Sequence, residues 1–182
     1  MPPWPTPHRY VEWGSPWMLD ERAAGGGCLR NFGIHGLDLF CDLFGEDVQL
    51  VAAQTSHAAY RLPIEDHAIV LLRSAAGVVG SVEVGYTLPK GREIAIEVAG
   101  RDRWLRADGG RIVVRDADGD HAEDADTPAE PPHAHVLRES LERWRRGDPP
   151  PVGVEDCLRA VRLVDEAYAL AGQPQSKREE GQ

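Results

Sequence analysis

Four polar residues in the stretch 25–44 recur at helical spacing and could carry out proton-transfer chemistry. They are Asn31, His35, Asp38 and Asp42. Steps of four, three and four residues place these side chains within roughly 60° of one another on one side of a helix. An imidazole exchanges protons near neutral pH, and an amide four residues earlier can hold a substrate hydroxyl or carbonyl. The spacing predicts an acid–base site, although an ordinary surface helix has the same spacing and remains an alternative.

The helix that must position these residues has a second, apolar side. Its members are Leu29, Phe32, Leu39, Phe40 and Leu43, which we expect to face a core. Gly33 and Gly36 lie inside the same helix at a cost of about 1 kcal/mol each relative to alanine, which indicates that another backbone or a ligand comes close. The run Gly25–Gly27 before the helix allows a tight turn and close backbone approach.

Length and charge limit the possible classes of function. The 182 residues suffice for one well-buried core, and the formal net charge of -10 argues against a nucleic-acid or anionic-membrane partner. No apolar run approaches the roughly 20 residues of a membrane-spanning helix, and the N-terminal sequence lacks the segments of a secretion signal. We therefore predict a cytoplasmic protein. No histidine or cysteine cluster has the spacing of metal ligands, so we predict no metal site.

Hydrophobic patterning predicts one domain flanked by irregular ends. Alternation predicts strands at 48–60, 66–73, 78–86, 93–99, 102–107 and 111–115, and helical periodicity predicts helices at 133–146 and 154–171. Because short turns connect these strands, we expect an α+β fold with an open, mainly antiparallel sheet. The chain is expected to begin with a Pro- and Trp-rich, extended or looped arm at 1–24. A single domain follows at 25–172, with an acidic mobile loop at 116–132, and the chain ends in a disordered tail at 173–182.

The order of several short motifs resembles one protein family over nearly the whole chain. The first group is Trp17, Asp20, Gly25–Gly27, Leu29, Asn31, Gly33, His35 and Asp38. The later motifs are Glu65-Asp66, Gly77 with Gly80–Glu83, Glu97–Gly100 before Trp104–Arg106, and Glu155-Asp156. In this order they resemble the C-terminal domain of the Gfo/Idh/MocA oxidoreductases, the group of glucose-fructose oxidoreductase and inositol dehydrogenase.

This resemblance implies a substrate-side domain similar to the C-terminal domain of dihydrodipicolinate reductase, with helices on one face of the sheet. Family members transfer a hydride between NAD(P) and a sugar or cyclitol hydroxyl. By this resemblance, His35 matches the residue that exchanges the hydroxyl proton. Asp38 and Trp17 are the expected substrate-binding residues. Asn31 stands where the family usually has aspartate, and an amide cannot hold negative charge against an imidazolium.

The resemblance also implies a Rossmann domain for the cofactor, and we find no match to one in these 182 residues. We therefore expect no cofactor in this chain alone and no hydride transfer without a Rossmann partner. The expected partners are a small polyol or sugar and a second copy bound through the sheet face. A non-catalytic sugar-binding or oligomerisation module remains the main alternative, and a metal enzyme using His35 and Asp38 a weaker one.

Overall fold

The computed structural model describes residues 9–86, 94–108, 110–124 and 131–172. These residues form two compact units, one made of 9–86 with 154–172 and the other of the described residues between 94 and 153. Helices accompany antiparallel strands in both units, which confirms the predicted α+β class. The predicted single domain 25–172 spans both units and stays a prediction. The predicted tail 173–182 and residues 1–8 of the predicted arm lie outside the described residues.

Helices and strands follow one another in nearly the predicted order. The helices are α1 (Arg9–Glu12), α2 (Glu21–Ala24), α3 (Ile34–Phe44), α4 (Pro132–Arg146) and α5 (Val154–Ala171), with a 3-10 turn at Pro16–Leu19 and a π-helical turn at Leu29–Gly33. The strands are β1 (Val48–Ser56), β2 (His67–Ser74), β3 (Val79–Gly85), β4 (Ala95–Ala99), β5 (Trp104–Asp108), β6 (Arg111–Asp116) and β7 (Gly119–Asp124). Within the described residues, no helix combines the length and apolarity needed to cross a bilayer.

The first unit is built on an antiparallel sheet in the order β1-β2-β3, with α3 and α5 packed on one face. Alternate residues of β2 point into the core, so Ala68, Val70 and Leu72 are buried while Ile69 is exposed. A bulge in β1 between Leu50 and Ala52 adds one residue to the strand. Because of this extra residue, the buried position after Leu50 is Ala53.

Helix α3 buries a different set of side chains from the one that the sequence predicted. Its buried residues are Leu37, Phe40 and Cys41, whereas the predicted core residue Leu43 is 50% exposed. Leu43 lies roughly 120° around the helix from Leu37, which places it beside the contact surface. Leu29, at the preceding π-helical turn, is fully buried as expected.

Glycines in this helix allow β3 to approach closely. A Cβ added at Gly36 would lie 2.8 Å from Val82 Cγ1, and one at Gly33 would lie 2.7 Å from Leu29 Cδ1 and 3.1 Å from Val84 Cγ1. The close approach predicted from these glycines therefore comes from side chains, two of them valines of the sheet. These two valines therefore face the helical segment.

The segment 9–24 is helical, which corrects the prediction of an extended or looped arm. Helix α1 contains no proline, and Pro16 takes the first position of the 3-10 turn, where no amide hydrogen is needed. Asp20 then caps α2 by accepting a hydrogen bond from the Ala23 amide at 2.9 Å. Prolines here are compatible with short helices because they lie at or before helix starts.

The second unit consists of an antiparallel sheet in the order β4-β5-β6-β7 together with α4. None of its described residues is buried, so the apolar core that the structure describes belongs to the first unit. Strand β7 occupies part of the predicted loop 116–132, while residues 125–130 lie outside the described residues. The hairpin forms despite its charge because Asp116 accepts from the Asp118 amide at 3.0 Å and Arg115 forms a bidentate pair with Asp120.

Candidate functional site

The polar side of the 29–44 segment turns away from the core. His35 and Asp42 are exposed, whereas Asn31 and Asp38 are half-buried. Asn31 lies in the π-helical turn and His35 in the first turn of α3, so one continuous helical segment positions both side chains. An exposed imidazole with a half-buried amide one turn away can meet a ligand hydroxyl and exchange its proton.

Asn31 is held by an aromatic cluster that the sequence analysis did not identify. Its amide nitrogen donates a hydrogen bond to the Tyr10 hydroxyl, and the Tyr10 ring packs edge-on against Tyr86 with ring centroids 6.2 Å apart. The Phe32 ring also packs edge-on against the Tyr86 ring, with ring centroids 5.9 Å apart. Burial raises the pKa of Tyr86 above the ordinary value of a tyrosine. Helix α1 therefore orients the side-chain amide of Asn31 through the Tyr10 hydroxyl.

Asp38 faces a cation on α5. Its carboxylate lies 3.9 Å from Arg159 Nη2, and the same guanidinium pairs with Glu46 at 3.2 Å and Asp156 at 3.3 Å. Burial raises the pKa of Asp38, the charge of Asp42 raises it further, and Arg159 opposes both. The pairing with Arg159 joins residues far apart in sequence, so helical spacing gave no signal for it.

Trp17 is the outlying member of the predicted site. It lies in the 3-10 turn Pro16–Leu19 with 54% of its surface exposed. Its backbone carbonyl accepts a hydrogen bond from the Asp20 amide at 3.1 Å. Among the described residues, its indole ring makes no ring contact, in contrast to the Tyr10 ring beside Asn31. Its substrate-binding role stays a prediction.

A buried carboxylate lies at the start of the helical segment. Glu65 is 3% exposed, and its side chain accepts hydrogen bonds from the Gly27 amide at 2.7 Å, the Leu29 amide at 3.0 Å and the Tyr168 hydroxyl at 2.7 Å. The Cys28 amide donates to the Glu65 backbone carbonyl at 3.2 Å. This carboxylate satisfies amide groups that a helix start leaves without partners. The motif Glu65-Asp66 gave no sign of this role beyond its position before a strand.

The described residues do not fit a dinucleotide cofactor. The start of the helical segment, where a phosphate could bind, is filled by the Glu65 carboxylate, and a Cβ added at Gly27 would lie only 2.1 Å from the Glu65 carbonyl oxygen. All strand pairs among the described residues are antiparallel, unlike the parallel sheet of a Rossmann fold. The same residues hold no group of three or more metal-ligating side chains.

Comparison with known proteins relates most of the chain to one family. The family model for the GFO/IDH/MocA C-terminal domain matches residues 3–106. D-apiose dehydrogenase from Paraburkholderia graminis is 30% identical over 162 residues, which cover 79% of this chain and 42% of that protein.

Solved structures share the fold. An oxidoreductase from Agrobacterium radiobacter, solved with NAD+, L-tartaric acid and magnesium, gives a TM-score of 0.74 at 25% identity, covering 88% of this chain and 51% of that one. The WlbA dehydrogenase from Bordetella pertussis, solved with NADH and UDP-GlcNAcA, gives a TM-score of 0.62 at 28% identity, covering 80% of this chain and 43% of that one. The chain spans about half the length of these relatives.

Proposed function

This chain belongs to the Gfo/Idh/MocA oxidoreductase family as a C-terminal domain, and from that membership we propose that it is the substrate-binding and oligomerisation domain of an NAD(P)-dependent sugar or cyclitol oxidoreductase. The observation that carries the proposal is the exposed His35 beside the half-buried Asn31. D-apiose, the sugar named in the relative from Paraburkholderia graminis, gives a first substrate to test.

The chemistry of these two residues is proton transfer and orientation. Oxidation of a sugar alcohol releases the hydroxyl proton, which the His35 imidazole accepts, and reduction of the carbonyl returns it. Asn31 donates one amide hydrogen to Tyr10, and its second amide hydrogen can donate to the oxygen of the same substrate hydroxyl. Asp38 and Trp17 are proposed to contact more distant substrate hydroxyls.

The NAD(P) cofactor is proposed to bind a Rossmann domain outside the residues described. The last glycine of the run Gly25–Gly27 supports this, because the Gly27 amide donates to the carboxylate of Glu65 in the chain itself. We therefore propose that the 182 residues alone do not transfer hydride. Purified chain incubated with D-apiose and either NAD or NADP should produce no reduced cofactor by absorbance. Steady production would contradict the proposal.

The catalytic role of His35 is best tested in a fusion that completes the enzyme. The chain replaces the matching part of D-apiose dehydrogenase from Paraburkholderia graminis, so that the remainder of that relative precedes it. His35→Asn should lower kcat by about 10²–10⁴-fold, the usual contribution of a general acid or base. His133→Asn, at an exposed histidine of α4, is the matched control and should leave kcat unchanged. Equal activities of the two variants would refute the role.

A non-catalytic sugar-binding module is the second candidate, and Asn31 favours it. An amide in place of the family's carboxylate cannot stabilise a protonated histidine by charge. For such a module, sugars should raise the unfolding temperature of the isolated chain and bind the fusion without turnover. Turnover by the fusion would exclude this candidate.

We further propose that the chain forms homo-oligomers through the sheet face opposite α3 and α5. Val51, Ile69 and Val79 are 44%, 41% and 53% exposed on strands of this sheet, and exposed apolar side chains favour association. Light scattering at micromolar concentration should show a dimer or larger species. Ile69→Glu should give monomers, whereas Leu137→Glu on α4 should not. We also propose a cytoplasmic location, which fractionation of expressing cells tests.

A further inference from the structure

The helical turn that carries Asn31 has an uncommon geometry. The Ile34 amide donates to the Leu29 carbonyl five residues earlier, which makes Leu29–Gly33 a π-helical turn rather than a standard α-helical one. Such turns are rare and are found mostly as single turns near functional sites. The turn also determines the direction in which α3 leaves it, and therefore the direction of His35. Other contacts must hold this geometry in place.

Glu65 contacts the turn at its first residues. Both carboxylate oxygens are used, since Oε2 accepts from the Gly27 amide while Oε1 accepts from the Leu29 amide and the Tyr168 hydroxyl. Hydrogen bonds to a charged acceptor inside a protein are shorter and stronger than neutral ones. The contact joins residues 38 positions apart in sequence, so it ties the turn to the segment leading into β2.

Helix α5 supplies a second attachment for the same turn. Besides the Tyr168 hydroxyl bond, the Arg30 guanidinium pairs with Asp165 and donates from Nε to the Gly25 carbonyl at 2.8 Å. The same guanidinium lies 5.6 Å from the centre of the Tyr168 ring. Burial raises the pKa of Tyr168, and its hydrogen bond to Glu65 raises it further.

We propose that Glu65, supported by Tyr168, is a positioning residue that fixes the π-helical turn and thereby the directions of Asn31 and His35. The proposal rests on the function proposed above, in which these two side chains meet the sugar hydroxyl. Glu65 itself is buried and acts only through the turn. Its effect on substrate is therefore indirect, and its effect on the turn can be measured without any ligand.

The test compares three variants of the isolated chain by NMR. Glu65→Gln keeps the size of the side chain but replaces one acceptor oxygen by a donor group, which must face an amide or hydroxyl donor. We expect it to move the Ile34 backbone amide, the Asn31 side-chain amide and the His35 ring signals, and to weaken D-apiose binding at least tenfold. Tyr168→Phe removes one donor only and should move the same signals by less.

Ser74→Ala is the matched control at a distant buried hydrogen bond. Ser74 is 3% exposed, and its hydroxyl accepts from the Val78 amide at 3.2 Å at the far end of β2. This variant should lose stability but leave the Asn31 and His35 signals in place. The proposal is overturned if Glu65→Gln leaves those signals at their wild-type positions, or if Ser74→Ala moves them equally. If Glu65→Gln does not fold, the same criterion applies to Tyr168→Phe.

Failure of the proposed function gives a different result. In that case wild-type chain binds no sugar, while Glu65→Gln still moves the signals of the turn. The positioning role then stands as a structural one without a substrate. Sugar binding that is unchanged in a Glu65→Gln chain with moved signals would contradict the link between the turn and the substrate.

Discussion

Replacing Gly27 by alanine should be among the most damaging small changes in the chain. The new Cβ would lie 2.1 Å from the Glu65 carbonyl oxygen and 2.9 Å from its backbone nitrogen, both well inside normal contact distances. Both neighbours are backbone atoms, so a side-chain rotation cannot relieve the clash. The loop must move away, and the Gly27 amide then leaves the Glu65 carboxylate that it contacts at 2.7 Å.

The size of the effect follows from these two losses. Overpacking in a well-packed site costs about 1–3 kcal/mol, and a lost hydrogen bond to a charged group costs about 1.5–3 kcal/mol. Together we expect a loss of about 2.5–6 kcal/mol from a folding free energy of roughly 5–15 kcal/mol. For a chain of this size, the unfolding temperature should fall by roughly 5–24 °C.

Thermal unfolding followed by far-UV circular dichroism measures this loss. Gly172→Ala is the control, because its Cβ would lie at an ordinary distance of 3.5 Å from the Tyr168 carbonyl oxygen, and it should unfold at nearly the wild-type temperature. Gly36→Ala should lie between the two, since the Val82 side chain can yield and alanine favours the helix. A Gly27→Ala variant as stable as the Gly172→Ala control would refute the close packing around Glu65.

Three further changes test other parts of the account. Burial and Asp42 raise the pKa of Asp38, so the folded chain binds this proton more tightly than the unfolded chain, and the resulting stability is lost as pH rises through the folded pKa. Asp38→Asn should therefore unfold at a higher temperature than wild type at neutral pH, and this difference should be smaller below pH 3.8. The same difference at both pH values would contradict the raised pKa of Asp38. Leu37→Ala, at a fully buried residue, should cost about 2–5 kcal/mol in urea unfolding, whereas Leu137→Ala, at a residue 61% exposed, should cost less than about 0.5 kcal/mol. In the dehydrogenase fusion, Asn31→Asp should raise kcat because a carboxylate stabilises the protonated histidine, and a lower kcat would show that the amide is required.

Local sequence patterns predicted the elements of this fold well. The final helix was expected at 154–171 and is observed at Val154–Ala171, because its apolar period and the preceding prolines are both local signals. The polar side of α3 follows in the same way from helical spacing. The alternation of β3 predicted a strand, but it did not reveal that the helical segment covers the face that carries Val82 and Val84.

Contacts between distant parts of the chain could not be predicted from local patterns. Glu65 receives a hydrogen bond from Tyr168 across 103 positions of sequence, and Asp38 pairs with Arg159 on another helix. Neither pair can be recognised from residue spacing, because the two partners lie in different segments and each residue fits the pattern of its own segment. Strand β7 was not predicted for a different reason, because its high charge is typical of a loop. The strand is stabilised by the hydrogen bond from the Asp118 amide to Asp116 in the turn and by the ion pair between Arg115 and Asp120.

If His35 meets a sugar hydroxyl, the ring signals of the histidines report the contact. D-apiose is titrated into the isolated chain while the carbon-bound ring protons of each histidine are followed by NMR. We expect a saturable shift of the His35 ring signals and of the Asn31 side-chain amide signals, with the His133 ring signals unchanged. A saturable shift at other histidines while His35 stays fixed, or no shift at millimolar sugar, would contradict it.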